Sequence, residues 1–520
     1  MSQASFLRLA PIYGLISWKY TPKLTELHVD IDEVGRLVQA TYQLNEKGRH
    51  DDCRQLLLQN EKSVENSEAL RLNLVVALIG LNHWQEAERE LHPLQQGIEH
   101  RSSKMRRAIL CNQAIIEQNT GREAEAAGRL MTLCSEFNDD VVLLVNCALA
   151  LSANGDHTTA EAQLAHALRL DPDCKEAIRA MANCLQTQGR DVEAVAFYRR
   201  LLRESPEDRA TQTNFAFSLL RQRDFQAGWQ AFEHRPQSWN LDWLQPNWHP
   251  GTPILGRSAV VIVDEGIGDA IMFSPLLEQM ASLCSNHVIY CDGRLIELFR
   301  RTWPQLNFES QVLDDRYKQM DVRIRLGSLA NQFRSKEEHF PNHQGFLKPD
   351  PNRIAHWKNW LATLGEGPAV GIAWRGGLHD AVASRRRSIP LEQWKPLLAS
   401  APARWICLQH KPDQLEIQEV EKQLGIRIHQ VQGLTHNIDE MATLTSGLDA
   451  VISCEQTAVH VAGGVGTRCL VLTSDPAGWR YLRRNPDQLE SPMIWYGSVS
   501  MIPNNDKHVW QRCIEMLRKI

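Results

Sequence analysis

Two hydrophobic rhythms divide the chain. In the first half, Gly121, Gly155 and Gly189 stand 34 residues apart, as do Ala114, Ala148, Ala182 and Ala216, and Pro172 and Pro206. Gly48 and Asn82 continue the turn position backwards, and Cys53 and Ala87 the small position behind it. Ala87 and Ala126 are 39 apart, which predicts a short insertion near Gln95 to Lys104. A period of this length is one pair of antiparallel helices. Alanines let the two helices approach closely, and glycine takes the positive φ that reverses the chain. About six units are expected between Asp32 and Arg235. One unit cannot bury its apolar face alone, so the units stack into a superhelix.

Beyond this array the period changes. Val260-Val261-Ile262-Val263 reads as a buried strand, followed by Asp264-Glu265-Gly266-Ile267-Gly268-Asp269. The two glycines permit a tight turn, and Ile271, Met272, Leu276 and Leu277 are spaced for the buried face of a helix starting near Asp269. A carboxylate in that first turn reads either as a helix cap or as a reactive group. In a strand–turn–helix unit it lies at the carboxyl end of the strand, where open α/β sheets bind ligands. The glycines do not complete G-x-G-x-x-G, so a dinucleotide fingerprint is not supported. Further strands are expected at 287–291, 321–326, 370–374, 405–409, 427–431, 449–453 and 469–473, with helices at 295–301, 353–364, 391–398, 414–424, 438–446, 457–465 and 509–519. Strands alternating with helices imply parallel sheets. Two such sets place both carboxyl ends at one site.

The expected fold class is therefore α followed by α/β, with two sets of parallel strands. The domains are a segment at 1–31, the repeats at 32–235, a linker at 236–257, and α/β domains at 258–350 and 351–520. The linker carries Trp239, Trp243, Trp248, Pro246, Pro250 and Pro253, which suits packing against a neighbouring domain better than a loose tether.

Composition narrows the function. A net charge of −5 argues against bulk nucleic-acid binding. No apolar run is long enough for a membrane span, and the start lacks the pattern of a signal peptide. Twelve cysteines without a C-x-x-C pair point to buried thiols in a reducing compartment, with no disulfide scaffold or metal site. A cytoplasmic location is expected.

The 34-residue period, with its turn glycine and closing Asp-Pro or Ser-Pro, resembles the tetratricopeptide repeat. Such arrays commonly present a concave face to a peptide or protein, although a spacer or homodimerisation arm has the same pattern. In the second half, four motifs follow in order: Glu265-Gly266-Ile267-Gly268-Asp269, Gly371-Ile372-Ala373-Trp374-Arg375-Gly376-Gly377, Arg387-Ser388-Ile389-Pro390, and Gln456-Thr457-Ala458-Val459-His460-Val461-Ala462-Gly463-Gly464. Together they resemble the bacterial tetratricopeptide-repeat glycosyltransferases, whose catalytic half is similar to the ADP-heptose heptosyltransferases of glycosyltransferase family 9. The resemblance runs from about Trp229 to the C-terminus.

It implies a GT-B fold of two Rossmann-like domains and inverting transfer from a nucleotide sugar as co-substrate, without a metal or other cofactor. It implies Asp269 as the base that takes the acceptor proton. It places Arg387 where the family has a phosphate-contacting lysine, a change that keeps the chemistry because arginine grips phosphate bidentately. Gly268, Trp374, Arg375, Gly376, Gln456, Thr457, His460 and Gly463 would line the donor site, with Gln456, Thr457 and His460 at a helix N-terminus suited to an anion and Gly463, with Gly464, permitting close approach of phosphate or sugar. Asp475-Pro476 and Trp479-Arg480-Tyr481 would rim it. Glu455 and Gln456 depart from the family's Asp followed by Ser or Thr, which argues against ADP-heptose as the donor. The acceptor would be a protein selected by the repeats, with a glycan or lipopolysaccharide core as the alternative. A non-catalytic scaffold with a decayed transferase half is the rival of another kind.

Overall fold

The computed structural model describes residues 33–236, 248–249, 251–310, 319–376, 381–400, 402–485 and 487–520, without the side chains of 381–383. The segment 1–31, Asp32, Trp239, Trp243, Pro246, Pro250 and Gly377 lie outside the described residues. The chain packs as two compact units that divide between Leu201 and Leu202.

The first unit is a succession of helix pairs. Glu33–Glu46 is followed by His50–Leu58, Glu68–Gly80 by Trp84–Gln95, Ser103–Asn119 by Glu123–Glu136, Val141–Ala153 by His157–Leu170, and Lys175–Thr187 by Asp191–Glu204. Each turn has one residue with positive φ: Gly48, Asn82, Gly121, Gly155 and Gly189. A Cβ at Gly48, Gly121 or Gly155 would meet open space, so glycine is needed there for conformation and not for room. The periodic alanines Ala114, Ala148 and Ala182 are fully buried where helices meet. The 3₁₀ turn Ile98–His100, entered through Gly97 at φ 66°, supplies the insertion that breaks the period. Helix Glu61–Glu65 is an addition the period did not announce.

The second unit begins with one more helix pair, α1 (Arg209–Arg221) and α2 (Phe225–Phe232), joined through Arg223 at φ 64°. The expected division after Arg235 thus falls inside this unit. Trp229 explains why: it is 1% exposed, and its indole N–H donates to the Arg334 carbonyl at 2.9 Å. Trp248, also buried, donates its backbone N–H to the Arg323 carbonyl at 2.7 Å, as the linker's tryptophan content suggested for the described part.

The first α/β domain has strands β1 (Ser258–Ile262), β2 (Asn286–Tyr290), β3 (Phe308–Glu309) and β4 (Val322–Arg325) in the parallel order β3-β2-β1-β4. The second has β5 (Ala369–Ala373), β6 (Arg404–Cys407), β7 (Ile428–His429), β8 (Ala450–Cys454), β9 (Cys469–Thr473), β10 (Ser491–Pro492) and β11 (Val499–Pro503). Their order is β10-β11-β9-β8-β5-β6-β7, parallel except for β10. These are the two expected sets of parallel strands. β3, β10 and β11 are additional to the expected strands. β8 and β9 are apolar on both faces because helices cover both sides of the sheet.

Helix α3 (Ile267–Phe273) follows β1, and helix α4 (Thr457–Val465) follows β8. They pack directly on each other, so the carboxyl ends of the central strands of both sheets face one place. The connection between the domains is fastened there too: the backbone N–H groups of Phe346 and Leu347 donate to the Gly464 carbonyl at 2.7 and 2.8 Å. Elsewhere in the seam Arg301 of the first domain and Arg353 of the second both pair with Asp439.

Candidate active site

Asp269 is the third residue of α3, whose N-cap is Gly266 with no side-chain cap. The carboxylate does not cap the helix. Both of its oxygens are taken by Arg480 of the second domain: the guanidinium Nη2 donates to Oδ2 at 2.6 Å and Nε donates to Oδ1. The Asp269 side chain is 11% exposed and that of Arg480 24%, so the pair is largely but not wholly withdrawn from water.

His460 lies one turn into α4 and is 2% exposed. Its ring stands between two tyrosines, with Nδ1 3.1 Å from the Tyr496 hydroxyl and Nε2 3.3 Å from the Tyr481 hydroxyl. A neutral imidazole donates through one nitrogen and accepts through the other, which suits this arrangement. Burial pushes its pKa down to about 4; nearby Asp269 opposes the shift and Arg480 adds to it. Gly268 is the reason the ring can stand so near α3: a Cβ there would lie 2.8 Å from His460 Cδ2.

The remaining predicted residues divide into those facing this region and those absorbed by the protein. Gln456 is the N-cap of α4 but makes no side-chain cap, and Thr457 opens the helix half-buried, which leaves its first N–H groups without a side-chain acceptor from the cap. Gly376 permits a close crossing, since a Cβ would sit 2.6 Å from the Glu455 carbonyl and 3.0 Å from that of Arg387. Its N–H donates to the Ser388 hydroxyl at 3.1 Å. Arg387 is half-buried beside it and acts electrostatically on Glu455.

Two expectations need correction, and a third residue has a partner of its own. The Trp374 side chain is fully buried in the core of the second domain, with its indole donating to Glu416 at 2.9 Å, so only its backbone lines the site. Arg375 spends its charge on the same Glu416, at 2.7 Å. Beside Gly463 lies the Tyr496 ring, 2.5 Å from where a Cβ would stand, so this glycine makes room for a tyrosine and not for a ligand.

Several residues take roles in the site that the sequence reading did not assign them. Glu455, 4% exposed, accepts from the Ser474 N–H at 2.8 Å and its hydroxyl at 2.9 Å, fastening the turn after β9; burial pushes its pKa up, against the pull of Arg387. Upstream of α3, Glu265 accepts from Arg235 at 3.0 Å and from the Gly327 N–H at 2.8 Å. Burial, reinforced by Asp264, raises its pKa. Glu265 could have been noticed as a carboxylate directly after a buried strand. Arg480 is expected from the sequence only at the rim of the site; its pairing with Asp269 has no signal there, because that partner lies 211 residues away.

A tetratricopeptide-repeat family model matches residues 151–213. Among solved structures, the glycosyl transferase family 9 protein of Veillonella parvula matches over 51% of this chain and 90% of its own, at 10% identity and a TM-score of 0.35. An O-GlcNAc transferase mutant of Thermobaculum terrenum matches over 79% and 92%, at 14% identity and a TM-score of 0.27. Among curated proteins, Protein FlbA of Caulobacter vibrioides is 28% identical over 426 residues, 77% of this chain and 70% of that protein.

Proposed function

We propose that the α/β half is an inverting, metal-independent glycosyltransferase that uses a nucleotide sugar and a hydroxyl acceptor. The observation that carries the reading is convergence: Asp269, His460, Gly376, Arg387 and the uncapped start of α4 come from four separated motifs and meet where the carboxyl ends of β1, β5 and β8 face each other. Arg387 and the first N–H groups of α4 suit a diphosphate. Asp269 suits proton abstraction. In the reaction the acceptor hydroxyl gives its proton to Asp269 and its oxygen bonds to the anomeric carbon. The bond from that carbon to the diphosphate breaks, and its electron pair leaves on the nucleoside diphosphate.

His460 is held neutral, with both ring nitrogens on tyrosine hydroxyls, and so serves to position Tyr481 and Tyr496 and not as a cation for the phosphates. The repeat array selects a protein acceptor, such as a surface or flagellar polypeptide. The twelve cysteines are free, and all but Cys174 and Cys284 are buried, which suits a reducing, cytoplasmic setting.

The test is a panel of nucleotides and nucleotide sugars scored by thermal shift, then transfer to proteins from cells lacking the gene, read by mass spectrometry. A shift with one nucleoside diphosphate and its sugar, and transfer that persists in EDTA, is expected. No shift with any of them would favour the scaffold reading, and transfer that requires added Mg²⁺ or Mn²⁺ would contradict the metal-independent chemistry.

A further inference from the structure

The proposed base is occupied. Arg480 forks onto both oxygens of Asp269, and a carboxylate so paired is a weak proton acceptor. The backbone on both sides of Arg480 is fastened. Trp479 is buried and stacked on Phe217 of α1, with ring centroids 5.8 Å apart, and it packs against Phe232 at 5.4 Å and Trp229 at 5.8 Å. Tyr481 is held on His460. The Arg480 guanidinium lies over the Trp479 ring, 4.4 Å from its centroid, and its side chain keeps 24% of its surface open, so a turn of the fork is a swing across that ring face. Two residues earlier, a Cβ at Gly478 would lie 3.2 Å from buried Glu455 Oε2, and Tyr481 reaches His460 of α4, so Arg480 borders the stretch that leads into the start of α4.

Resting on the transferase reading, we propose that Arg480 is a donor-binding residue that exchanges partners. In the empty site it neutralises Asp269. When a nucleoside diphosphate group arrives at the start of α4, the guanidinium turns from the carboxylate to the diphosphate, and Asp269 is left free to take the acceptor proton. Arginine suits both positions because carboxylate and phosphate present the same pair of oxygens to its fork. Donor binding and base activation are then one event, and a proton acceptor is not exposed before there is a sugar to transfer.

Exchange makes Asp269 a competitor of the diphosphate, which gives the test its sign. Calorimetry with UDP, GDP, ADP and CDP on the full chain first identifies the nucleotide bound by the wild type. Asp269→Asn, which keeps the shape but gives up the charge, should then bind that nucleotide three- to tenfold more tightly. Arg480→Gln should bind it ten- to a hundredfold more weakly. In the double variant the gain from Asp269→Asn should vanish. Equal or weaker binding by a folded Asp269→Asn protein would overturn the exchange while leaving the transferase reading intact. Should that variant not fold, Arg480→Gln decides alone, since unchanged affinity there removes Arg480 from the diphosphate. A wild type that binds none of the four nucleotides defeats the transferase reading itself, and this proposal with it.

Discussion

On the transferase reading Asp269 carries two duties, and one substitution touches both. Asp269→Asn removes the proton acceptor, and turnover is expected to fall by roughly 10²–10⁴, the usual worth of a general base. It also leaves the Arg480 fork facing a neutral amide, so stability should drop by about 1–3 kcal/mol, the cost of weakening a hydrogen bond to a charged, partly buried group. Wild-type turnover in the folded variant would refute the base. Arg387→Ala is expected to weaken nucleoside diphosphate binding by about ten- to a hundredfold through the loss of one charged phosphate contact, and unchanged affinity by calorimetry would remove it from the site. His460 supplies a pH signature. The unfolded imidazole protonates near 6.5 and the folded one only near 4, so between these values the unfolded chain binds more protons. Stability from this group is full above 6.5 and is lost as the pH falls toward 4, by roughly 3 kcal/mol. The stability difference between wild type and His460→Asn should therefore shrink over that window, and a constant difference in denaturant titrations would show that the ring is not held neutral. Buried Glu265 titrates in the opposite sense, which is why the comparison with the variant is needed.

Glycines of two kinds organise the helices. Gly155 has φ 88° with open space around it, so Gly155→Ala should cost only the backbone strain of a left-handed residue, about 1–2 kcal/mol, seen as a lower melting temperature with unchanged nucleotide affinity. Gly463 has an ordinary helical backbone but abuts Tyr496, so Gly463→Ala must push that ring and, through it, its contact with His460. Overpacking of this kind costs about 1–3 kcal/mol and should weaken nucleotide binding as well. Equal effects of the two substitutions on affinity would contradict this division. Gly268 belongs to the second kind, since it is the small residue that lets α3 and α4 touch. The turn after β9 is an element of a third sort. Its shape comes from buried Glu455 holding Ser474, from Trp479 among the aromatic rings, and from Tyr481 on His460.

The compact unit that starts at Leu202 contains a helix pair in the repeat rhythm and both α/β domains. Its join is a core and not a hinge. Trp229, Phe232, Phe273, Trp479 and Trp495 pack ring on ring, and fully buried Arg235 pairs with Glu265 just upstream of α3. A chain beginning at Leu202 is therefore expected to fold and to bind nucleotide like the full chain, whereas one beginning at Pro236 would lose Trp229 and Phe232 and should aggregate or bind no nucleotide. A well-folded, nucleotide-binding protein from Pro236 onward would show that α1 and α2 are dispensable. If the repeats select the acceptor, the Leu202 chain should keep donor binding but lose transfer to protein.

Much of this molecule was legible in the order of its residues. The 34-residue period determined the helix pairs because a repeated small residue and a repeated turn conformation are local demands, met by Ala114, Ala148 and Gly155 wherever the chain goes. Runs such as Val260–Val263 determined buried strands, and their alternation with helices determined parallel sheets. Short strands such as β3 and β10 were illegible, because two residues carry no period. Tertiary structure alone decided the partners. It sent Trp374 into the core, set Tyr496 against Gly463, assigned the last helix pair to the α/β half and laid Arg480 on Asp269. Those outcomes depend on which surfaces meet across hundreds of residues, and pairing between distant side chains leaves no periodic trace in the chain that encodes it.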